Sequence, residues 1–158
     1  MIRKVVSGGQ TGVDRAGLDA AVNAGFSIGG YCPHGRRSED GTIPEKYPMI
    51  EMEEPEDRFR TEKNVIESDG TLILNKGNLT NGTKATYDFT VTHGKPCLIV
   101  QLDTTEIIKP EQVVRWLDGQ FIKVLNVAGP RESKYPEGIY ADAVSYLEEV
   151  FLLLKEIY

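Results

Sequence analysis

The chain has 158 residues, 40% of them hydrophobic and 27% charged, the balance of an ordinary globular domain with enough length to bury a core. A formal net charge of -6 argues against nucleic acid as a partner, because phosphate backbones are met by a basic field. Cys32 and Cys97 are too few and too separated for a disulfide framework or a zinc site, so no metal ligands are assigned and two free thiols are expected.

In chain order, apolar runs alternate with helical patterns. Met1 to Lys4 leads directly into a first strand at Lys4–Ser7, with no leader or membrane-spanning run ahead of it. No membrane partner and a cytoplasmic location are therefore expected. A helix is expected from about Asp14 to Ala24, and a second strand over Phe26–Gly30. The segment from Gly30 to about Glu54 shows neither helical nor strand pattern, and a loop of that length is a candidate lid or oligomer arm. Further helices are expected at about Pro55–Ser68, Thr83–His93, Pro110–Leu117 and Gly138–Ile157. The last carries Ala143, Val144, Leu147, Val150, Phe151 and Leu154 at helical spacing. Strands are expected at Thr71–Leu74, Cys97–Leu102 and Val124–Val127, the second of these continuously apolar, as a strand buried on both faces should be. This order predicts an α/β fold over residues 1–158: a three-layer, Rossmann-like arrangement with a parallel sheet of about five strands and helices on both faces.

Ligands of such sheets bind beyond the carboxyl ends of the strands. The Gly-rich loops there are Ser7–Asp14, Asn75–Thr83 and Ala128–Gly138, and they are expected to face one crevice. In Ser7-Gly8-Gly9-Gln10-Thr11-Gly12-Val13-Asp14 a strand, a glycine turn and a helix start follow one another, which makes an anion cradle from free backbone N–H groups and the helix dipole. It is not a regular dinucleotide fingerprint: Ser7 replaces the first glycine, and Gly29-Gly30-Tyr31 offers no acid for a ribose. Gly77 to Lys84 has P-loop glycine spacing, but Thr83 and Lys84 stand in swapped order.

Five stretches together resemble the "putative molybdenum carrier" family: Ser7–Arg15; Gly30-Tyr31-Cys32-Pro33-His34-Gly35-Arg36 with Glu39-Asp40-Gly41; Arg60–Val65; Ser68–Ile73; and Asn126–Ser133. That family is similar to the molybdenum cofactor carriers of algae and is placed as a circularly permuted branch of the SMF/DprA–LOG (SLOG) superfamily of Rossmann-like nucleotide-binding proteins. The permutation is visible in the loops. Gly8-Gly9 comes first, Asn78–Thr83 resembles the P-G-G-x-G-T loop of LOG proteins, and Ala128–Ser133 resembles their first loop, moved to the C-terminus. LOG enzymes follow Gly-Thr with a glutamate that serves N-glycosidic cleavage. Here Gly82-Thr83 is followed by Lys84-Ala85-Thr86-Tyr87, with no carboxylate until Asp88.

The resemblance implies a phosphorylated small-molecule ligand, either a pterin such as molybdenum cofactor (molybdopterin) or a nucleotide. First contacts are expected from Gly8, Gly9, Gln10, Thr11 and Gly12, and a second set from Gly82 and Thr83. Asp14 is either a helix N-cap or a ligand contact. Arg15, unfavourable at a helix start, is either a ligand contact or an ion-pair partner of Asp19. Arg36 in the long loop suits bidentate anion recognition or a solvated face. Arg60 and Asn64 share a helical face, and with Glu62 they are pocket candidates by resemblance. Gly129, Arg131 and Ser133 follow the fifth strand, where a phosphate could be met. Glu62 is the weak catalytic candidate, and the reading leans to a carrier rather than an enzyme. A homo-oligomer, dimer or tetramer, is expected, with the apolar last helix as one interface candidate.

Overall fold

The computed structural model describes residues 1–157; Tyr158, the last residue of the expected domain, lies outside them. The elements run β1 (Lys4–Val6), α1 (Val13–Asn23), β2 (Ser27–Gly29), β3 (Tyr31–Cys32), β4 (Arg37–Ser38), β5 (Gly41–Thr42), β6 (Ile50–Glu51), α2 (Asp57–Ile66), β7 (Gly70–Asn75), α3 (Asn81–Thr92), β8 (Cys97–Gln101), α4 (Pro110–Gly119), β9 (Val124–Ala128) and α5 (Tyr140–Ile157). A short 3-10 turn spans Glu132–Lys134. Five strands form one sheet in the order β2-β1-β9-β7-β8, and every pairing in it is parallel. The last strand in sequence thus lies at the centre, and the turns after β1, β9 and β7 emerge side by side.

The two faces of the sheet are chemically unlike. Register pairs Val5 with Leu125 and Leu72 with Val127, so these side chains share one face. That face packs on α1, α4 and α5 through a continuous apolar core that includes Ala16, Val113, Leu147 and Phe151. Gly17 on α1 lets the helix sit close: a Cβ there would lie 2.8 Å from Val127 Cβ. The opposite face carries Thr71 and Asn126, register partners joined by a 3.2 Å hydrogen bond from Asn126 Nδ2 to Thr71 Oγ1. Helices α2 and α3 cover it, burying Arg60, Asn64 and Val65 from one and Thr83, Thr86 and Thr90 from the other. No residue of α2 or α3 belongs to the apolar core clusters among the described residues. This layer contributes Arg60, Asn64, Thr83, Thr86 and Asn126 to the lining of a cavity.

The segment from Gly30 to Glu54 is more ordered than its sequence suggests. Tyr31–Cys32 pairs in parallel with Ile50–Glu51, and Arg37–Ser38 pairs antiparallel with Gly41–Thr42, leaving Glu39 and Asp40 as a hairpin tip. Two-residue ladders carry no readable periodicity, which is why the pattern is invisible in the sequence. A second small core of Leu18, Cys32, Ile43 and Tyr47 pins the segment to α1. Among the described residues no helix is long and apolar enough to cross a membrane.

Gly30 is held at φ 130° with no room for a side chain: an added Cβ would lie 2.1 Å from the Ser7 carbonyl oxygen. Gly30→Ala is therefore expected to cost about 2–4 kcal/mol in a denaturant titration. Gly82 faces open space, so Gly82→Ala should leave stability unchanged or raise it by up to about 1 kcal/mol through helix propensity.

Candidate functional site

At the carboxyl edge of the sheet lies a cavity of about 240 Å³ whose lining is drawn from four parts of the chain. Gly8, Gln10 and Asp14 come from the β1 turn and α1. Asp57, Arg60, Thr61 and Asn64 come from α2. Thr80 to Thr83 and Thr86 come from the start of α3, and Asn126 to Arg131 with Lys134 from the end of β9 and the turn beyond it. The first glycine loop and the Gly82-Thr83 turn thus meet on one space, which packed side chains do not fill.

Arg60 forms the floor. Its Nη1 donates to the Gly8 carbonyl oxygen at 2.7 Å, and the same nitrogen stands 3.8 Å from Asp14 Oδ2, while Nη2 stands 3.9 Å from Asp57 Oδ1. The residue is 8% exposed, and its Nε has no hydrogen-bond partner. A buried, unpaired guanidinium N–H costs free energy unless something supplies an acceptor. Gly8 is required by this contact, since a Cβ there would lie 2.0 Å from Arg60 Nη1. Burial of Asp14 beneath the loop raises its pKa to about 6, against the opposing pull of Arg60 and of the Gln10 N–H, which donates to Oδ2 at 3.2 Å.

The glycine loop spends much of its hydrogen-bonding capacity on itself. Gly9 N donates to Ser7 Oγ at 3.3 Å, Thr11 N to Gln10 Oε1 at 3.0 Å, and Val13 N to the Pro130 carbonyl at 3.2 Å. Gly9 packs against Ile43 and Met49, and Gly12, at φ 81°, lies against the Pro130–Glu132 backbone, where a Cβ would come within 2.4 Å of Pro130 O. The α3 end of the cavity is different. Thr80, the residue before the helix, makes no side-chain cap; its Oγ1 instead accepts from Lys134 Nζ at 2.7 Å. The Asn81 and Gly82 amides at the start of α3 therefore keep their polarity at the cavity wall, while Thr83 N and Lys84 N donate to the Thr80 carbonyl at 3.1 and 3.2 Å. Asn81 is held at φ 47° there, a conformation that only asparagine and aspartate adopt with ease among non-glycine residues.

The remaining expected residues are distributed as follows. Arg15 meets neither the cavity nor Asp19: its Nη1 binds Asp40 Oδ2 at 2.6 Å, Nη2 binds Ser38 Oγ at 2.9 Å, and Nε binds the Gly9 carbonyl at 3.1 Å. Asp40 is held well below the ordinary carboxylate range by these bonds from Arg15 and by Ser38. Asp19 instead accepts from Tyr47 OH at 2.7 Å and from Tyr140 OH. Arg36 braces its own segment through the carbonyls of Ile43, Pro44 and Tyr47. Asn64 lines the cavity but uses its amide on the Tyr31 backbone, accepting from N at 2.9 Å and donating to O at 3.0 Å. Glu62 is not part of the cavity lining and sits 2.7 Å from His93 Nε2. Thr11 and Ser133 meet each other's loops through Glu39 at the rim. Gly129 and Arg131 line the cavity, Gly129 with a Cβ position only 2.3 Å from Leu74 O.

Sequence reasoning passed over Thr80, Asp57, Asn126 and Lys134. Only Lys134 had a usable signal, as a second cation three residues after Arg131. The described lining carries Arg60, Arg131 and Lys134 against Asp14 and Asp57, a slight cationic excess in a chain whose net charge is -6.

A model of the circularly permutated YpsA SLOG family matches residues 5–151. The crystal structure of a "putative molybdenum carrier protein" from Syntrophus aciditrophicus SB superposes with a TM-score of 0.86 and 46% sequence identity, over 96% of this chain and 95% of that one. None of the curated proteins matches.

A carboxyl whose pKa is raised in the folded state favours folding most when protonated. Stability should fall as the pH rises from about 4 through about 6, by at most about 3 kcal/mol, as Asp14 ionises in its buried position. Asp14→Asn should flatten that part of the profile, measured by denaturant unfolding at pH intervals. An unchanged slope would place the titration elsewhere.

Proposed function

The chain belongs to the circularly permuted YpsA SLOG family, and from that membership and the cavity we propose that it is a carrier that binds a phosphorylated pterin or nucleotide-like ligand without transforming it. One observation carries the reading: Arg60, whose buried Nε is unpaired, lines the same cavity as the uncapped start of α3. A phosphoryl oxygen is the acceptor both lack, and helix N-termini and guanidinium groups are suited to it. Arg131 and Lys134, both exposed at the rim, add charge on the entry side.

The similar protein from Syntrophus aciditrophicus is described as a molybdenum carrier, and molybdenum cofactor is one ligand that suits the reading. Its phosphate end would be held by Arg60, Arg131, Lys134 and the Asn81 and Gly82 amides. The pterin, when bound, would supply the groups that hold molybdenum, and the protein's part is to bind and shield the phosphorylated end. A nucleotide would use the same contacts for its phosphate.

A second reading, cleavage of a nucleotide-like ligand, draws on Asp14, a carboxyl in the cavity with a pKa of about 6, in the range useful for acid–base work. Asp14 suits that reading better than Glu62, which is outside the lining and pairs with His93.

Native mass spectrometry of freshly purified protein should show a co-purified phosphorylated species, and it reports subunit number in the same spectrum. Arg131→Ala and Lys134→Ala should each weaken binding of that ligand, or of a nucleoside monophosphate, by about ten- to a hundredfold by calorimetry, the loss of one charge-assisted contact. Unchanged affinity in both would remove the cavity from the account. Free base released from nucleoside monophosphates by the wild type, and not by Asp14→Asn, would replace the carrier reading with the catalytic one.

A further inference from the structure

Beside the cavity, three distant parts of the chain converge on a single carboxylate. Glu39, at the tip of the β4–β5 hairpin, accepts through Oε1 from Thr11 Oγ1 and from Ser133 N at 3.2 Å, and through Oε2 from Ser133 Oγ at 2.5 Å. These donors are oriented by further bonds. Thr11 Oγ1 accepts in turn from Glu132 N at 3.2 Å, which fixes its own O–H toward Glu39. Gln10 Oε1 receives both Thr11 N at 3.0 Å and Glu39 N at 2.9 Å. Burial pushes the Glu39 carboxyl up, but the Ser133 and Thr11 bonds outweigh it, with Arg131 adding a favourable charge, so the group stays ionised. Two hydroxyls and one backbone N–H, with a guanidinium nearby, are the equipment of an anion site. Its occupant is a side chain of the same chain.

We propose that Thr11, Ser133 and Arg131 form a second anion subsite, that Glu39 is its resident placeholder, and that a ligand bearing a second phosphoryl or carboxylate group displaces it. The inference rests on the reading that the cavity holds a phosphorylated ligand. Gln10 and Arg131 belong to both places, so the subsite adjoins the cavity at its rim. The exchange is chemically even-handed. Glu39 is solvent-exposed, and exposed hydrogen bonds of this kind hold weakly. A phosphoryl group brings more charge and three acceptor oxygens to the same donors. The neighbouring acid, Asp40, does not compete for the subsite, because Arg15 already neutralises it through both guanidinium nitrogens at 2.6 and 2.8 Å. That ion pair also keeps the hairpin attached by one side when Glu39 leaves. The consequence is a coupling between ligand charge and the 37–42 hairpin. A singly phosphorylated compound fills the cavity and leaves the placeholder seated, whereas a doubly anionic one unseats it.

The test uses inorganic phosphate and inorganic pyrophosphate on the wild type, Glu39→Gln and Ser133→Ala, with calorimetry and amide hydrogen exchange. Glu39→Gln should bind pyrophosphate about tenfold more tightly than the wild type, since the competing charge is gone, while phosphate affinity changes by less than about threefold. Ser133→Ala should weaken pyrophosphate selectively. In the wild type, pyrophosphate should speed exchange at residues 37–42 toward the rate of unliganded Glu39→Gln. Pyrophosphate affinity equal in wild type and Glu39→Gln, or greater protection of the hairpin on binding, overturns the subsite and leaves the cavity reading standing. Failure of both anions to bind any of the three proteins overturns both.

Discussion

A buried guanidinium set against a glycine is the contact on which the site depends. Arg60 reaches from α2 to the Gly8 carbonyl, across 52 residues of sequence, and fits only because position 8 has no side chain. Asp14 beneath it offsets the charge, and each depends on the other: removing Asp14 leaves a buried cation less compensated, and removing Arg60 leaves a buried acid more readily protonated. The pair stations α2 over the polar face of the sheet, and α2 and α3 each contribute to the lining of the cavity. That arrangement leaves the Nε a buried donor with no acceptor in the chain.

Glycines at the first loop serve the protein's own packing as much as any approach by a ligand. Gly8 meets Arg60, Gly12 meets the Pro130–Glu132 backbone, and Gly9 meets Ile43 and Met49. Several of the loop's amides are taken by Ser7, Gln10, Asp14 and Pro130. Those bonds leave the first loop fewer free amides, while across the cavity α3 starts without a side-chain cap. The first loop fixes position, and the second presents polarity. In a permuted chain the two roles need not stay with the loop that comes first.

The architecture was legible in the sequence because alternating apolar and helical patterns of this length admit few arrangements. The continuous run at Cys97–Leu102 marks a strand, and β8 spans Cys97–Gln101, but it lies at the edge of the sheet and is half-buried except at Val100, whereas the strand buried along its whole length is β7. Element ends moved by a few residues, as at α2, which begins at Asp57 where Pro55 was expected. The segment after Gly30 was not legible, since its order comes from two-residue ladders and from anchors outside it: Arg15, Thr11, Ser133 and the Leu18 core. Local rules also misdirected Arg15. Helical spacing favours Asp19, but the hairpin brings Asp40 with two oxygens in reach, while Asp19 is taken by two tyrosines. Arg36 likewise finds its partners in the tertiary fold of its own segment, the carbonyls of Ile43, Pro44 and Tyr47. Burial of Arg60, which decides its role, has no signature in a helix start rich in charge.

The central claim is that an anionic group completes the hydrogen bonding of Arg60 and the start of α3. The most direct measurement is an NMR titration with a nucleoside monophosphate that follows the Arg60 Nε–H signal together with the Asn81 and Gly82 amides. The account predicts that these move together, saturably, with the Arg60 signal shifting downfield as it gains an acceptor. A saturable response confined to other residues, with Arg60 Nε–H unmoved, would contradict it.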